Sequence, residues 1–168
     1  KGDQRGGSTI TQQLAKNLFK TRYAHSQGYL SKIPGVRILI TKYKEWMTAY
    51  KLEGRYSKKD IITMYLNTVS FSNNAYGIKS ASLRYFNKLP SQLSTTESAL
   101  LIGMLKGTTI YNPIRNPKNA VQRRNVVLSQ MQKAGYISDA EVAQLSQDSL
   151  KLDLSFHDNL DANDSYIR

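Results

Sequence analysis

Apolar residues recur at helical spacing in the first part of the chain, within the segment "GGSTITQQLAKN" and just beyond it. Thr9 and Gln12 form a capping-box pattern, which predicts that a helix begins there. Ile10, Leu14 and Leu18 follow at intervals of four residues, so we expect them to form the buried stripe of this helix.

Start and stop residues mark the next two helices. A loop rich in Gly and Pro is predicted over residues 20–35, followed by a helix over Val36–Glu53 that stops at Gly54. Ser57, with Asp60 three residues on, predicts the start of the helix in "YSKKDIITMYLN".

The middle of the chain alternates loops and helices. "SFSNNAYG" has the Ser, Asn and Gly content of a loop, and "GIKSASLRYF" is typical of a helix. "STTESALLIGMLK" begins with a Ser94–Glu97 capping box and has a strongly apolar body, which predicts a buried central helix. "TTIYNPIRNP" then predicts an ordered loop.

The last third of the chain predicts two more helices. Asn116 is the expected N-cap of the first, with Pro117 in its first position and Gly135 at its end, and "SDAE" caps a short second helix. No hairpin pattern and no internal repeat appears, so the predicted fold class is mainly α, as a single compact domain. We expect this domain to span residues 1–148 and residues 149–168 to be an acidic linker towards a following domain.

The charge of the chain is positive and unevenly distributed. The net charge of +12 combines +9 in residues 1–60, +8 in residues 61–138 and −5 in residues 139–168. A basic body indicates an anionic partner such as a phosphate group, a nucleic acid or an anionic membrane surface, although a solvated basic face explains the charge equally well.

Several chemistries and segments are missing from the sequence. Cysteine is absent, which excludes disulfides and thiolate chemistry, and His25 and His157 lack metal-ligand spacing. No run of eighteen or more apolar residues and no signal peptide is present, and the first residue is Lys1. We therefore expect a piece of a longer protein.

Two groups of polar residues suggest a binding site. After two glycines, the first helix directs its N–H groups and the positive end of its dipole at one place, where anions bind readily. Lys42 and Glu45 are three residues apart and share a helix face. The spacing fits either a surface ion pair or a polarised pair in a cleft.

Taken in order, these segments resemble the peptidoglycan glycosyltransferases of glycosyltransferase family 51. These are the polymerase domains of class A penicillin-binding proteins and their monofunctional relatives. "GGSTITQQLAKN" is similar to the second signature of that family, and "KYKEWMTAYKLEGRYSKKDIITMYLN" to the third and fourth. "LLIGMLKGTTIYNPIRNPKNAVQRRNVVLSQM" resembles the fifth signature and the residues that precede it, so the resemblance covers residues 6–136.

The resemblance implies a lysozyme-like helical fold and a defined reaction. Lipid II adds to the growing glycan strand through a β-1,4 link, with inversion at the anomeric carbon and release of undecaprenyl pyrophosphate. Such chemistry needs a carboxylate base and positive charge at the leaving pyrophosphate. The implied location is the outer, periplasmic face of the bacterial cytoplasmic membrane, with an anchor outside this chain and membrane contact through the lipid substrate.

The family's roles carry over to matching positions. Glu45 corresponds to its second acidic residue, which assists at the pyrophosphate or organises the site. The resemblance implies that Lys42 and Lys106 meet phosphate. The residues implied to line the donor side are Ser8, Thr9, Gln12, Gln13, Lys16 and Asn17, and those implied to shape the site are Arg55, Asn67, Arg123 and Arg124. A cation such as Mg²⁺ or Mn²⁺ at the pyrophosphate stays open, because lysine can do the same work.

The sequence departs from the family pattern at three points. The principal catalytic Glu of the first signature has no match here, so we expect it upstream of Lys1 and expect this chain alone not to polymerise glycan. Thr41 stands where many relatives have Arg, and Ser72 where glycine is common. "DANDSYIR" resembles the linker of a bifunctional protein, which implies a transpeptidase domain in the parent chain, but no Ser-x-x-Lys motif is present.

Other functions remain as alternatives. A lytic transglycosylase or lysozyme-like domain would share the fold but cleave glycan, and a non-catalytic domain would only bind glycan or lipid. Charge alone permits a nucleic-acid-binding module, but no motif for one is present, so nucleic acid is not an expected partner.

Overall fold

The computed structural model describes residues 8–19 and 34–155, and these residues are mainly helical, as predicted. They contain seven α-helices, and an isolated bridge between Ser70 and Tyr76 is the extent of β structure in the same residues. The helices are α1 (Ile10–Phe19), α2 (Pro34–Glu53), α3 (Lys58–Thr68), α4 (Gly77–Phe86), α5 (Thr95–Met104), α6 (Pro117–Lys133) and α7 (Asp139–Leu145), with a 3₁₀ turn at Pro90–Gln92. None of the described helices is long and apolar enough to cross a lipid bilayer.

The chain divides into two compact units, Lys1–Val69 and Ser70–Arg168. In the first unit, α1 packs against both α2 and α3. The buried side chains of these helices include Leu14, Ala49 and Ile61. Two capping boxes fix the helix starts, as predicted: Thr9 and Gln12 bond to each other at 3.2 Å, and Ser57 pairs with Asp60 before α3.

The buried face of α1 differs from the predicted stripe. Leu14 is fully buried, but Ile10 and Leu18 are exposed, and Thr11 and Ala15 are buried instead. The buried positions are therefore i, i+3 and i+4, which face the two neighbouring helices. Small side chains at Thr11 and Ala15 suit a helix that packs on two partners at once.

In the second unit, α5 and α6 form the main helix pair. As predicted, α5 begins with a Ser94–Glu97 capping box and is largely buried. The two helices approach closely at Gly103, where an added Cβ would lie 3.2 Å from the Cγ of Arg123. A side chain at this position would require Arg123 to shift by a few tenths of an ångström.

The segment between α3 and α4 is a tight loop, as predicted. Ser72, Asn73 and Asn74 all have positive φ, at 69°, 47° and 60°. The Tyr85 hydroxyl donates to the carbonyl of Phe71 at 2.8 Å and fastens the loop to α4. The left-handed φ of Ser72 is one that glycine adopts without strain.

Helix ends in several places differ from the sequence prediction. Helix α2 begins at Pro34, two residues early, because Pro is well suited to the first helical turn. Asn116 holds the N-cap position of α6, but its side chain donates to the carbonyl of Thr109 instead of capping the helix. Helix α6 ends at Lys133, while Gly135 has the positive φ of a stop residue.

The predicted linker begins inside the described residues. Residues 149–155 carry almost no regular structure, but the backbone N–H of Asp153 donates to the Tyr85 carbonyl at 3.0 Å. Asn87 reaches Ser155 at 3.1 Å. This first part of the segment is therefore attached to α4. The domain boundary at residue 148 stays a prediction, and residues 156–168, with His157, lie outside the described part.

Candidate functional site

A buried carboxylate and an exposed ammonium group meet on α2. The Lys42 Nζ donates to Glu45 Oε2 at 2.8 Å, with 53% of the Lys42 side chain exposed and 3% of the Glu45 side chain. The shared helix face predicted from their spacing is confirmed. Because Glu45 is buried, the pair is not a surface ion pair.

The start of α1 lies beside this pair. Lys42 Nζ also donates to the Ser8 hydroxyl at 3.3 Å, two residues before α1 begins. Gln13, in the second turn of α1, donates from Nε2 to the Ser8 carbonyl at 3.3 Å. The fold thus brings together Ser8, Gln13, Lys42 and Glu45, which we call the polar cluster.

Tyr65 on α3 extends the polar cluster and was missed from the sequence. Its hydroxyl donates to Gln13 Oε1 at 3.1 Å, and burial raises the pKa of the phenol. One sequence signal was available, because Tyr65 follows Ile61 by four residues on the buried face and a buried tyrosine hydroxyl usually has a partner.

The arrangement suits an anionic group. The Lys42 ammonium is half exposed and stands at the N-terminal end of α1, where backbone N–H groups and the helix dipole also favour negative charge. Glu45 keeps that ammonium in place from the buried side. The polar cluster can therefore offer a phosphate a fixed positive charge and a hydroxyl donor.

Other predicted residues of the first unit lie outside the polar cluster. Thr9 and Gln12 use their side chains to cap α1. Lys16 and Asn17 are half-buried further along that helix. The remaining two, Arg55 and Asn67, are exposed near the ends of α2 and α3.

In the second unit, Lys106 is exposed just after α5. Arg123 on α6 stacks over the ring of Tyr111, with its guanidinium carbon 6.0 Å from the ring centre. The Nε of Arg123 is buried and has no hydrogen-bond partner within the described segments. The cation–π contact holds this side chain in one place.

Arg124, its neighbour, performs a structural task. It is 2% exposed and donates to the carbonyls of Asp148 at 2.8 Å and Ser146 at 3.1 Å, just beyond α7. Burial lowers the pKa of its guanidinium, and Asp148 partly offsets that effect. Arg124 thus holds the chain that follows α7 through the carbonyls of Ser146 and Asp148.

With this geometry in place, a family model described as "Transglycosylase" matches residues 1–132. The chain belongs to the transglycosylase family. It is a transglycosylase domain of the class A penicillin-binding protein type, as the sequence resemblance predicted.

Curated relatives agree with this assignment. The transglycosylase chain is 41% identical over 151 residues to penicillin-binding protein 2a of Streptococcus pneumoniae, covering 88% of this chain and 19% of the relative. It is 44% identical over 133 residues to penicillin-binding protein 1A of Aquifex aeolicus, and this match covers 79% of this chain and 16% of the relative. The chain therefore spans about a fifth or less of the length of these relatives.

A solved structure supports the fold. The crystal structure of penicillin-binding protein 1A from Haemophilus influenzae is similar, with a TM-score of 0.55 and 32% identity. The match covers 61% of this chain and 16% of that one. The predicted helical fold class is confirmed.

Proposed function

We propose that this transglycosylase domain polymerises lipid II into β-1,4-linked glycan, with inversion and release of undecaprenyl pyrophosphate. The supporting observation is the polar cluster, in which a buried Glu45 holds Lys42 against Ser8 at the start of α1. In a peptidoglycan glycosyltransferase, this group of side chains suits the pyrophosphate that must leave.

Each residue of the cluster has a role in this proposal. Lys42 and the first N–H groups of α1 bind the pyrophosphate and stabilise the charge that grows as the bond to the sugar breaks. Glu45 keeps Lys42 extended towards that site. Ser8 and Gln13 line the donor side, and contact of Lys106 with phosphate stays a prediction.

The polar cluster favours an ammonium over a divalent cation as the positive charge at this place. Glu45 is occupied by the Lys42 ammonium at 2.8 Å, which would repel Mg²⁺ or Mn²⁺. We therefore assign the positive charge at the pyrophosphate to Lys42.

One face of α2 supports contact with a membrane surface. Leu39, Tyr43, Trp46 and Tyr50 follow one another at intervals of four, three and four residues, and each is at least 55% exposed. The rings of Tyr43 and Trp46 lie 6.3 Å apart. Exposed Trp and Tyr beside lysines suit the headgroup region of a bilayer, where a lipid-linked substrate would be found.

The reaction also needs a general base. The sequence has no counterpart of the family's principal Glu, so we propose that residues 1–168 alone bind the donor without polymerising it. We further propose that a transpeptidase domain shares the parent chain, which acts at the outer face of the cytoplasmic membrane.

The test is a gel assay with fluorescent lipid II, using the purified chain and the whole protein that carries it. We expect glycan polymer from the whole protein and none from the chain. Both preparations are also incubated with purified peptidoglycan. Release of glycan fragments without polymer growth would contradict the proposal and favour a lytic transglycosylase.

A further inference from the structure

Tyr65 lies at the end of the hydrogen-bonded series that leads to Lys42. Its side chain is buried in the first unit at 6% exposure, and its hydroxyl reaches Gln13 Oε1 at 3.1 Å. Gln13 in turn donates to the carbonyl of Ser8, whose hydroxyl accepts from Lys42. A phenol on α3 is thus linked to an ammonium on α2 through the start of α1.

This geometry fixes the orientation of the Gln13 amide. A glutamine amide has one acceptor end and one donor end, so its partners decide which way it points. The Ser8 carbonyl can only accept, and it therefore requires the Nε2 end. Tyr65 supplies the matching donor at the Oε1 end, because burial favours its protonated form at neutral pH.

We propose that Tyr65 is a positioning residue, which acts through Gln13 to hold Ser8 where its hydroxyl meets Lys42. Without the phenol, the Gln13 amide loses one of its two hydrogen bonds, and Ser8 is held less firmly beside Lys42. This inference rests on the proposed function, in which Ser8 and Lys42 meet a pyrophosphate.

The chain provides a matched control in Tyr85. That tyrosine is also buried, and its hydroxyl donates to the backbone carbonyl of Phe71 at 2.8 Å, within the second unit. Tyr85→Phe removes a buried hydroxyl, as Tyr65→Phe does, but touches no residue of the polar cluster. A loss of affinity that came only from weaker folding would follow both substitutions.

The experiment is a double-mutant cycle in the 168-residue chain, with farnesyl pyrophosphate as the probe in calorimetric titrations. Tyr65→Phe and Gln13→Ala should each weaken binding about five-fold, the effect of one hydrogen bond. The double variant should also lose about five-fold, because the two residues act as one unit. Tyr85→Phe should leave the affinity unchanged.

Additive losses of about 25-fold in the double variant, or equal losses in the two Phe variants, would overturn the positioning role. A wild-type chain that binds no farnesyl pyrophosphate would instead contradict the proposed function. In that case the NMR signals of the Gln13 side-chain amide decide the inference. They should shift in Tyr65→Phe and not in Tyr85→Phe, and unchanged signals in Tyr65→Phe would overturn it.

Discussion

Bonds from buried polar side chains to the backbone are a feature of the second unit, where they accompany bonds between side chains. In the second unit, Arg124 donates to two backbone carbonyls, and the side-chain oxygen of Asn112 accepts from the N–H groups of Ile114 and Arg115. In the first unit, Tyr65 bonds to the side chain of Gln13, and Glu45 to that of Lys42.

The two Lys–Glu pairs show the same difference. The Lys88–Glu97 pair is as close as the Lys42–Glu45 pair, at 2.6 Å against 2.8 Å. Glu97 also accepts the N–H of Ser94 at 2.7 Å in the capping box of α5. Burial alone would raise the pKa of Glu97, but hydrogen bonds from Lys88 and Ser94 and the charge of Lys88 lower it.

The backbone bonds of the second unit stabilise the fold, and the side-chain bonds of the polar cluster join groups of the candidate site. Side chain–backbone bonds satisfy groups that the fold would otherwise leave unpaired, and their loss costs stability. Bonds between side chains are a small fraction of those in most proteins. In the polar cluster they link Tyr65 to Gln13, and Lys42 to Ser8 and Glu45. Substitutions in the second unit should therefore lower stability, and those in the polar cluster should lower binding or rate.

The largest expected effect is on stability, for Arg124→Ala. It leaves the Asp148 carbonyl without its Arg124 donor, leaves the Ser146 carbonyl with the longer bond from Asn125 Nδ2 at 3.4 Å, and opens a void at a fully packed position. We expect the free energy of unfolding to fall by about 3 kcal/mol. Urea denaturation measures this, with Gln122→Ala on the exposed face of α6 as the control. A loss below about 1 kcal/mol would show that Arg124 is dispensable to the fold.

Next in size is the effect of Glu45→Gln on the rate of lipid II polymerisation by the whole protein. Without its charge, Glu45 no longer fixes Lys42, and we expect a fall of about 100-fold. Glu97→Gln should keep the rate and lower the free energy of unfolding by about 1 kcal/mol or less. Equal rates in the two variants would contradict the different roles assigned to the two ion pairs.

Alkaline pH should weaken the second unit through Tyr85. Burial raises its pKa to about 12 from the ordinary 10.0, although Arg84 and other groups partly oppose the shift. Because the folded pKa is the higher one, the stabilisation is complete below pH 10 and is lost as the pH rises towards 12, by about 2–3 kcal/mol in all. Urea unfolding from pH 9 to 11.5 should show this decline. The loss of stability with rising pH should be smaller in Tyr85→Phe. An equal loss in that variant would contradict the assignment of the effect to the raised pKa of Tyr85.

The smallest effect concerns the backbone at Ser72. Its φ of 69° lies in the left-handed region, which glycine adopts freely and serine does not. Ser72→Gly and Ser72→Ala both lose the contact with Asn112 at 3.3 Å. The difference in stability between the two variants therefore measures the backbone strain alone. Thermal unfolding should show the Gly variant more stable by about 1 kcal/mol. Equal stability would argue against left-handed strain.

The features predicted from sequence are the local ones. The capping boxes at Thr9, Ser57, Ser94 and Ser138 are confirmed, because each depends on residues three positions apart. The spacing of Lys42 and Glu45 likewise predicted their shared face.

Features that depend on distant partners were not predictable in this way. The buried face of α1 is set by two helices that pack on it, so Ile10 and Leu18 were wrongly assigned to the core. Tyr65 and Gln13 are 52 positions apart, and no local pattern links them. The depth of Glu45, which separates a site from a surface ion pair, is also a tertiary property.

The most direct test of the central claim compares the two lysines as pyrophosphate ligands. Farnesyl pyrophosphate is titrated calorimetrically into wild-type protein and into Lys42→Ala and Lys88→Ala variants at one fixed ionic strength. We predict that Lys42→Ala weakens binding about ten-fold and that Lys88→Ala changes it by less than about two-fold, because each variant loses the same formal charge but only one loses the site. Equal affinities in the two variants would contradict the assignment of the polar cluster as the pyrophosphate site.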